Sequence, residues 1–240
     1  VLCLFAMLIF TGSLAAQDAS ETTFTVRIEN VSGQNTSTYA DVGVVGVPVG
    51  ATQRGAITPG NAYEFTIKAA PGDRLSFATM YGQSNDTFFA PDENGIALFD
   101  DMGSPVSGDV SDQVWLWDAG TEVNEPLGSG PNQGPRQSSP DAGEVENGTV
   151  EVVQPNDEFP ASPDLMTVTL TPVDDQRITV RIENHSDMAP VPTPFSPLVY
   201  VVYSADQSAP FFTTGEADRG QGLERLAESG NAEILAASVA

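Results

Sequence analysis

Two runs of alternating residues, Ala62 to Ala69 (AYEFTIKA) and Arg74 to Tyr81 (RLSFATMY), stand on either side of Pro71-Gly72-Asp73. In an extended chain, side chains two apart share a face, so this pattern suits half-buried strands and not a helix. The Pro-Gly-Asp turn between them predicts an antiparallel hairpin. The same grammar continues through Phe88-Phe89, Gly95 to Phe99, Val114 to Trp117 and Leu165 to Pro172, each run cut short by Gly, Pro or Asx. Thr25 to Asn30 (TVRIEN) recurs letter for letter as Thr179 to Asn184. The recurrence predicts the first strand of a repeated unit, with Val26 and Ile28 on one face in the first copy and Val180 and Ile182 likewise in the second. With 22 Gly and 18 Pro as punctuation, the expectation is an all-β fold, an antiparallel β-sandwich of about 150 residues per unit. Asn124 to Glu158 is rich in Pro, Gly, Asn, Ser and Glu and reads as a long exposed loop. Helical spacing occurs near the C-terminus, where Leu223, Leu226, Ala227 and then Ile234, Leu235 and Val239 flank a Gly230-Asn231 break. Two short helices are expected there.

Residues 1–19 read as a signal peptide clipped at its start. Leu2 to Phe10 is apolar but too short to span a bilayer, and Thr11 to Ala16 supplies small residues suited to cleavage near Ala16. The expected setting is therefore secreted and extracellular. The one cysteine, Cys3, falls inside that leader, so the exported part carries no thiol and no disulfide, and its core or bound ions must hold it. Nine basic residues against 33 acidic ones leave a net charge of −24. Such a surface repels phosphate backbones and anionic lipid, so neither nucleic acid nor membrane is an expected partner. It attracts cations, but because the acids are spread along the whole chain it reads first as the composition of a chain kept solvated in a salty medium.

Nucleophilic triads need an imidazole, and the single one, His185, sits in a turn where the first copy of the repeat has Val31. Zinc sites want Cys and His. Gly128-Ser129-Gly130-Pro131 leads into a proline-rich loop and not a helix, so it is no phosphate loop. No carboxylate pair stands out among 33 acids, and no enzymatic role is expected. Calcium suits the composition better, because it takes six to eight oxygens from carboxylates, carbonyls and Asn side chains in loops at a sheet's end. Candidate ligands are Glu64, Asp86, Asp92, and Asp118 with Glu122 in the loop after Val114 to Trp117. The alternative role for the aspartates is as Asx-turn formers. Trp115 and Trp117 share a strand face, either a sugar platform or a face buried against the opposite sheet. Asn30, Asn35, Asn85, Asn147 and Asn184 begin glycosylation sequons.

Several of these segments resemble the spondin N-terminal domain family, the extracellular module of F-spondin and mindin. Pro194 to Val199 (PFSPLV), Gly215-Glu216-Ala217 and Leu223 to Gly230 (LERLAESG) are similar to the first half of such a domain. Pro71 to Phe77, Ser84 to Phe89 (SNDTFF) and Trp117 to Glu122 (WDAGTE) are similar to the second half. The resemblance covers most of residues 20–240 and implies a calcium-binding β-sandwich, with a cation near Glu64, Asp86 and Asp92. The expected organisation is a first copy over 20–174 and a partial second copy over 175–240, either truncated or docked on the first. The function this implies is a secreted, non-enzymatic module for adhesion or protein interaction, with an extracellular or cell-surface protein or glycan as partner. A carbohydrate-binding or carbohydrate-active protein and a structural cell-surface repeat remain open alternatives.

Overall fold

The computed structural model describes residues 39–134 and 136–240. The expected signal peptide and the Thr25 to Asn30 copy of the repeat lie outside the described residues. Eleven strands are named among those described: β1 Asp41–Val45, β2 Ala62–Lys68, β3 Asp73–Met80, β4 Thr87–Ala90, β5 Ile96–Ala97, β6 Gly108–Asp109, β7 Trp115–Asp118, β8 Glu151–Val152, β9 Met166–Asp174, β10 Arg177–Asn184 and β11 Leu198–Ser204. Three short α-helices accompany them, α1 Ser162–Leu165, α2 Leu223–Ser229 and α3 Ala232–Val239. The fold is all-β, with the two longer helices at the C-terminal end, broken at Gly230-Asn231 as the spacing predicts.

Every strand pairing is antiparallel. The larger sheet runs β1-β11-β3-β4-β7-β8, with β5 also on β3, and the smaller runs β2-β10-β9-β6. Alternation decides which residue goes where. On β10, Ile178, Val180 and Ile182 are buried while the residues between them are only partly so. These three join Tyr63 and Ile67 of β2, Val168 and Leu170 of β9, and Leu75, Phe77, Phe89, Leu116, Leu198 and Val202 of the larger sheet in one apolar cluster. The opposite face of the larger sheet is covered too. Ala78, Phe88, Ala90, Trp117, Val199, Val201 and Tyr203 pack there with Phe211, Phe212 and the helix residues Leu223, Leu226, Ala227 and Leu235. This is why β11 reads LVYVVY without a polar break: both of its faces are buried.

The hairpin expected around Pro71-Gly72-Asp73 does not form. β2 pairs with β10, and β3 pairs with β11, β4 and β5, so the turn carries the chain from one sheet to the other. Tyr63 and Ile67 of one sheet meet the same core as Leu75 and Phe77 of the other; edge-to-edge pairing would place both apolar faces on one side of a single sheet. Segment 124–158 also departs from the exposed loop expected, since it buries Leu127, Gln133 and Val150 and adds β8 to the sheet edge. Residues 177–240 supply β10, which lies between β2 and β9, and β11, which lies between β1 and β3. The described chain belongs to one compact unit, Ser37–Ala240. No helix among the described residues is long and apolar enough to cross a membrane.

Candidate functional site: an acidic loop end

Asp86 follows Asn85 at the start of β4, in a turn held by Ser84, whose hydroxyl donates to the Tyr81 carbonyl and accepts from Thr87. The turn aims the Asp86 carboxylate at the Asp118 to Glu122 loop. Its Oδ2 accepts from the Thr121 N–H (2.7 Å), the Thr121 hydroxyl (2.9 Å) and the Glu122 N–H (3.0 Å). Asp86 is fully buried and its Oδ1 has no hydrogen-bond partner among the described residues. Burial, and then the nearby Asp118 charge, push its carboxyl up to about 6, against the three donors that lower it.

The same loop is tied at several further points. Asp118 Oδ1 accepts from the Gly120 N–H at 2.7 Å, and Oδ2 accepts from the Asn124 amide. Gly120 adopts φ 67°, and a Cβ there would stand 2.6 Å from the Thr149 backbone, so the loop closes this tightly only around glycine. Glu122 is buried, with Oε1 accepting from the Gly143 N–H (2.7 Å) and Oε2 from the Asn85 amide (3.3 Å). Gly143 carries this contact toward Asp141, a non-glycine residue at φ 56° that ion-pairs with Arg225 of α2 at 2.6 Å.

Of the five expected ligands, the structure brings Asp86, Asp118 and Glu122 together at this loop and leaves the other two elsewhere. Glu64 is exposed on β2 and pairs with Arg181 across the sheet at 3.2 Å. Asp92 closes its own turn, accepting from the Asn94 N–H at 2.8 Å. None of the five belongs to the group of acids that could share an ion among the described residues, which is Asp141, Glu224 and Glu228, with one oxygen of each within 4.8 Å of the others. Glu228 is fully buried; its Oε2 accepts from the Asp141 N–H at 3.1 Å, and its Oε1 has no partner among the described residues. Burial pushes its carboxyl up to about 8, and the charges of Glu122, Glu224 and Asp141 add to the rise, against the Asp141 N–H that lowers it. Glu224 is raised by burial and then by Asp141 and Asp218. Sequence spacing held a signal for this pair. Glu224 and Glu228 are i and i+4 on a helix, two like charges on one face with only Arg225 between them.

Beside the loop lies a cleft of about 480 Å³, lined by Asp118, Glu146 and Glu151 together with Asn124, Asn156 and Phe159. Trp117 does not reach it as a platform. It is buried against Phe212, ring centroids 4.8 Å apart, on the helix-covered face and not against the opposite sheet. The sequon residues Asn85 and Asn184 are buried, while Asn147 is exposed. No family model matches the chain, no curated protein matches it, and no solved structure matches its fold.

Proposed function

We propose that this chain is a secreted, non-enzymatic interaction module of spondin type, whose acidic loop end meets a protein partner outside the cell. One observation carries the reading. The segments that carry the resemblance are distant in sequence, yet they interlock. Ser196 of the FSP segment takes the Thr79 hydroxyl on its carbonyl (2.8 Å) and the Met80 N–H on its Oγ (2.9 Å), both from β3. Gly230, which ends the LAESG segment, lies against the Ser196 side chain. Asp86 of the SND turn staples the DAGTE loop.

The cleft beside that loop is lined by carboxylates, amides and no basic side chain, which suits a basic segment of a protein partner. The glycan reading rests on Asn124, Asn156 and Phe159 of the same cleft, the amide-and-ring combination that meets sugar hydroxyls and sugar faces. The purified chain, screened against extracellular-matrix proteins, cell-surface proteins and glycans, separates the two. Binding to a protein that falls at least tenfold in a Glu146→Lys, Glu151→Lys double variant supports the proposal. Binding to a glycan that is indifferent to those reversals overturns it in favour of a carbohydrate-binding role.

A further inference from the structure

We infer that Asp141, Glu224 and Glu228 form a calcium site that fastens segment 136–146 to helix α2. This site differs from the loop residues that the family resemblance implies, and it stands whether or not the chain is an adhesion module.

Three observations carry it. One oxygen from each of the three carboxylates lies within 4.8 Å of the others. Oxygens bound to one calcium at 2.3–2.6 Å are at most about 5 Å apart, whereas magnesium at 2.0–2.1 Å draws them within about 4 Å. The site has oxygen donors only, which suits a hard cation and not zinc or copper. The second observation is independent of the clustering. Glu228 is fully buried, and its Oε1 has no hydrogen-bond partner among the described residues. A carboxylate withdrawn from water is strongly unfavourable unless something opposite in charge meets it. Among the described residues the cation paired in the group is Arg225, which takes Asp141 Oδ2 at 2.6 Å and faces three carboxylates, Asp141, Glu224 and Glu228. The group keeps a strong negative excess. The third observation is a neutral oxygen next door: Gln137 donates its amide to the Glu228 carbonyl at 2.9 Å and leaves its own Oε1 buried without a partner among the described residues.

The site has a structural consequence. Segment 136–146 meets α2 through Gln137 to the Glu228 carbonyl, through the Asp141 N–H to Glu228, and through Asp141 to Arg225. An ion shared by Asp141, Glu224 and Glu228 adds a fastening across the same seam.

The test uses the full chain, metal-free and at fixed ionic strength, melted with calcium chloride, with magnesium chloride and with chelator, and titrated with calcium by calorimetry. At a hundredfold excess of calcium over Kd the melting temperature should rise by roughly 5–10 °C, and magnesium should give less. Glu228→Gln keeps the shape and removes the buried charge, so it should fold at least as stably without calcium and lose at least nine-tenths of the shift. Glu224→Gln, at a half-exposed position, gives the same reading should the first variant fail to fold. Absence of a calcium shift in the unmodified chain overturns the inference. So does a full shift retained in a folded Glu228→Gln or Glu224→Gln chain, because the ion would then sit elsewhere. No partner protein enters the assay, so its failure is separate from failure of the adhesion proposal.

Discussion

Asp86 does for the Asp118 to Glu122 loop what a capping side chain does for a helix: one oxygen gathers donors that the backbone has left over. Its price is a buried carboxylate beside Asp118. The folded carboxyl rises from 3.8 to about 6, so the folded chain holds this proton more tightly than the unfolded chain does. The stability that comes from protonating Asp86 is fully present below about pH 4 and is lost as pH rises through 6. At about 1.4 kcal/mol per pH unit, that window is worth on the order of 3 kcal/mol. Asp86→Asn retains an acceptor for Thr121 and Glu122 but cannot ionise. Urea unfolding at several pH values should show this variant gaining on the unmodified chain between pH 4 and pH 7. A difference between the two that stays constant with pH contradicts the role given to Asp86.

At the level of elements, α2 is positioned by what ends it. Gly230 sits at φ 69°, with its N–H on the Leu226 carbonyl. A Cβ there would lie 2.8 Å from the Ser196 Cβ, closer than side chains approach one another. Gly230→Ala therefore meets both the left-handed backbone cost and a clash with the strand-side segment. It should lose about 2–3 kcal/mol in urea unfolding, and a loss below about 0.5 kcal/mol would show that the helix end is free to shift. The helices themselves were legible, because Leu223, Leu226 and Ala227 recur at a spacing only a helix places on one side. Strand positions were legible for the same reason: Ile178, Val180 and Ile182 alternate into the core. Pairing was not. Alternation tells which face of Ala62 to Lys68 is buried and is silent on whether its neighbour is the next strand or β10, more than a hundred residues on. The site divides along the same line. Asp86 and Glu122 announce themselves as acids in turns, whereas the placement of Asp141 beside Glu224 and Glu228 depends on how segment 124–158 folds back on α2. No local pattern encodes that return.

Over the whole molecule, 33 acidic residues face nine basic ones, so charge opposes the folded state more than it supports it. The ion pairs present, such as Arg54 with Glu233 and Arg177 with Asp174, are exposed and contribute about 0–1 kcal/mol each. What holds the chain is a pair of apolar clusters, one joining residues of both sheets and one packed with the C-terminal helices, and the larger sheet contributes to both. Residues beyond Asp175 enter both clusters through β10, β11, α2 and α3. The segments before and after Asp175 therefore belong to one unit. Calorimetry on the full chain, and on the chain ended after Asp175, tests this most directly. The predicted result is a single transition for the described unit, with calorimetric and van't Hoff enthalpies equal, and no cooperative transition in the shortened chain. Two separable transitions, the first surviving unchanged when everything after Asp175 is removed, would contradict it.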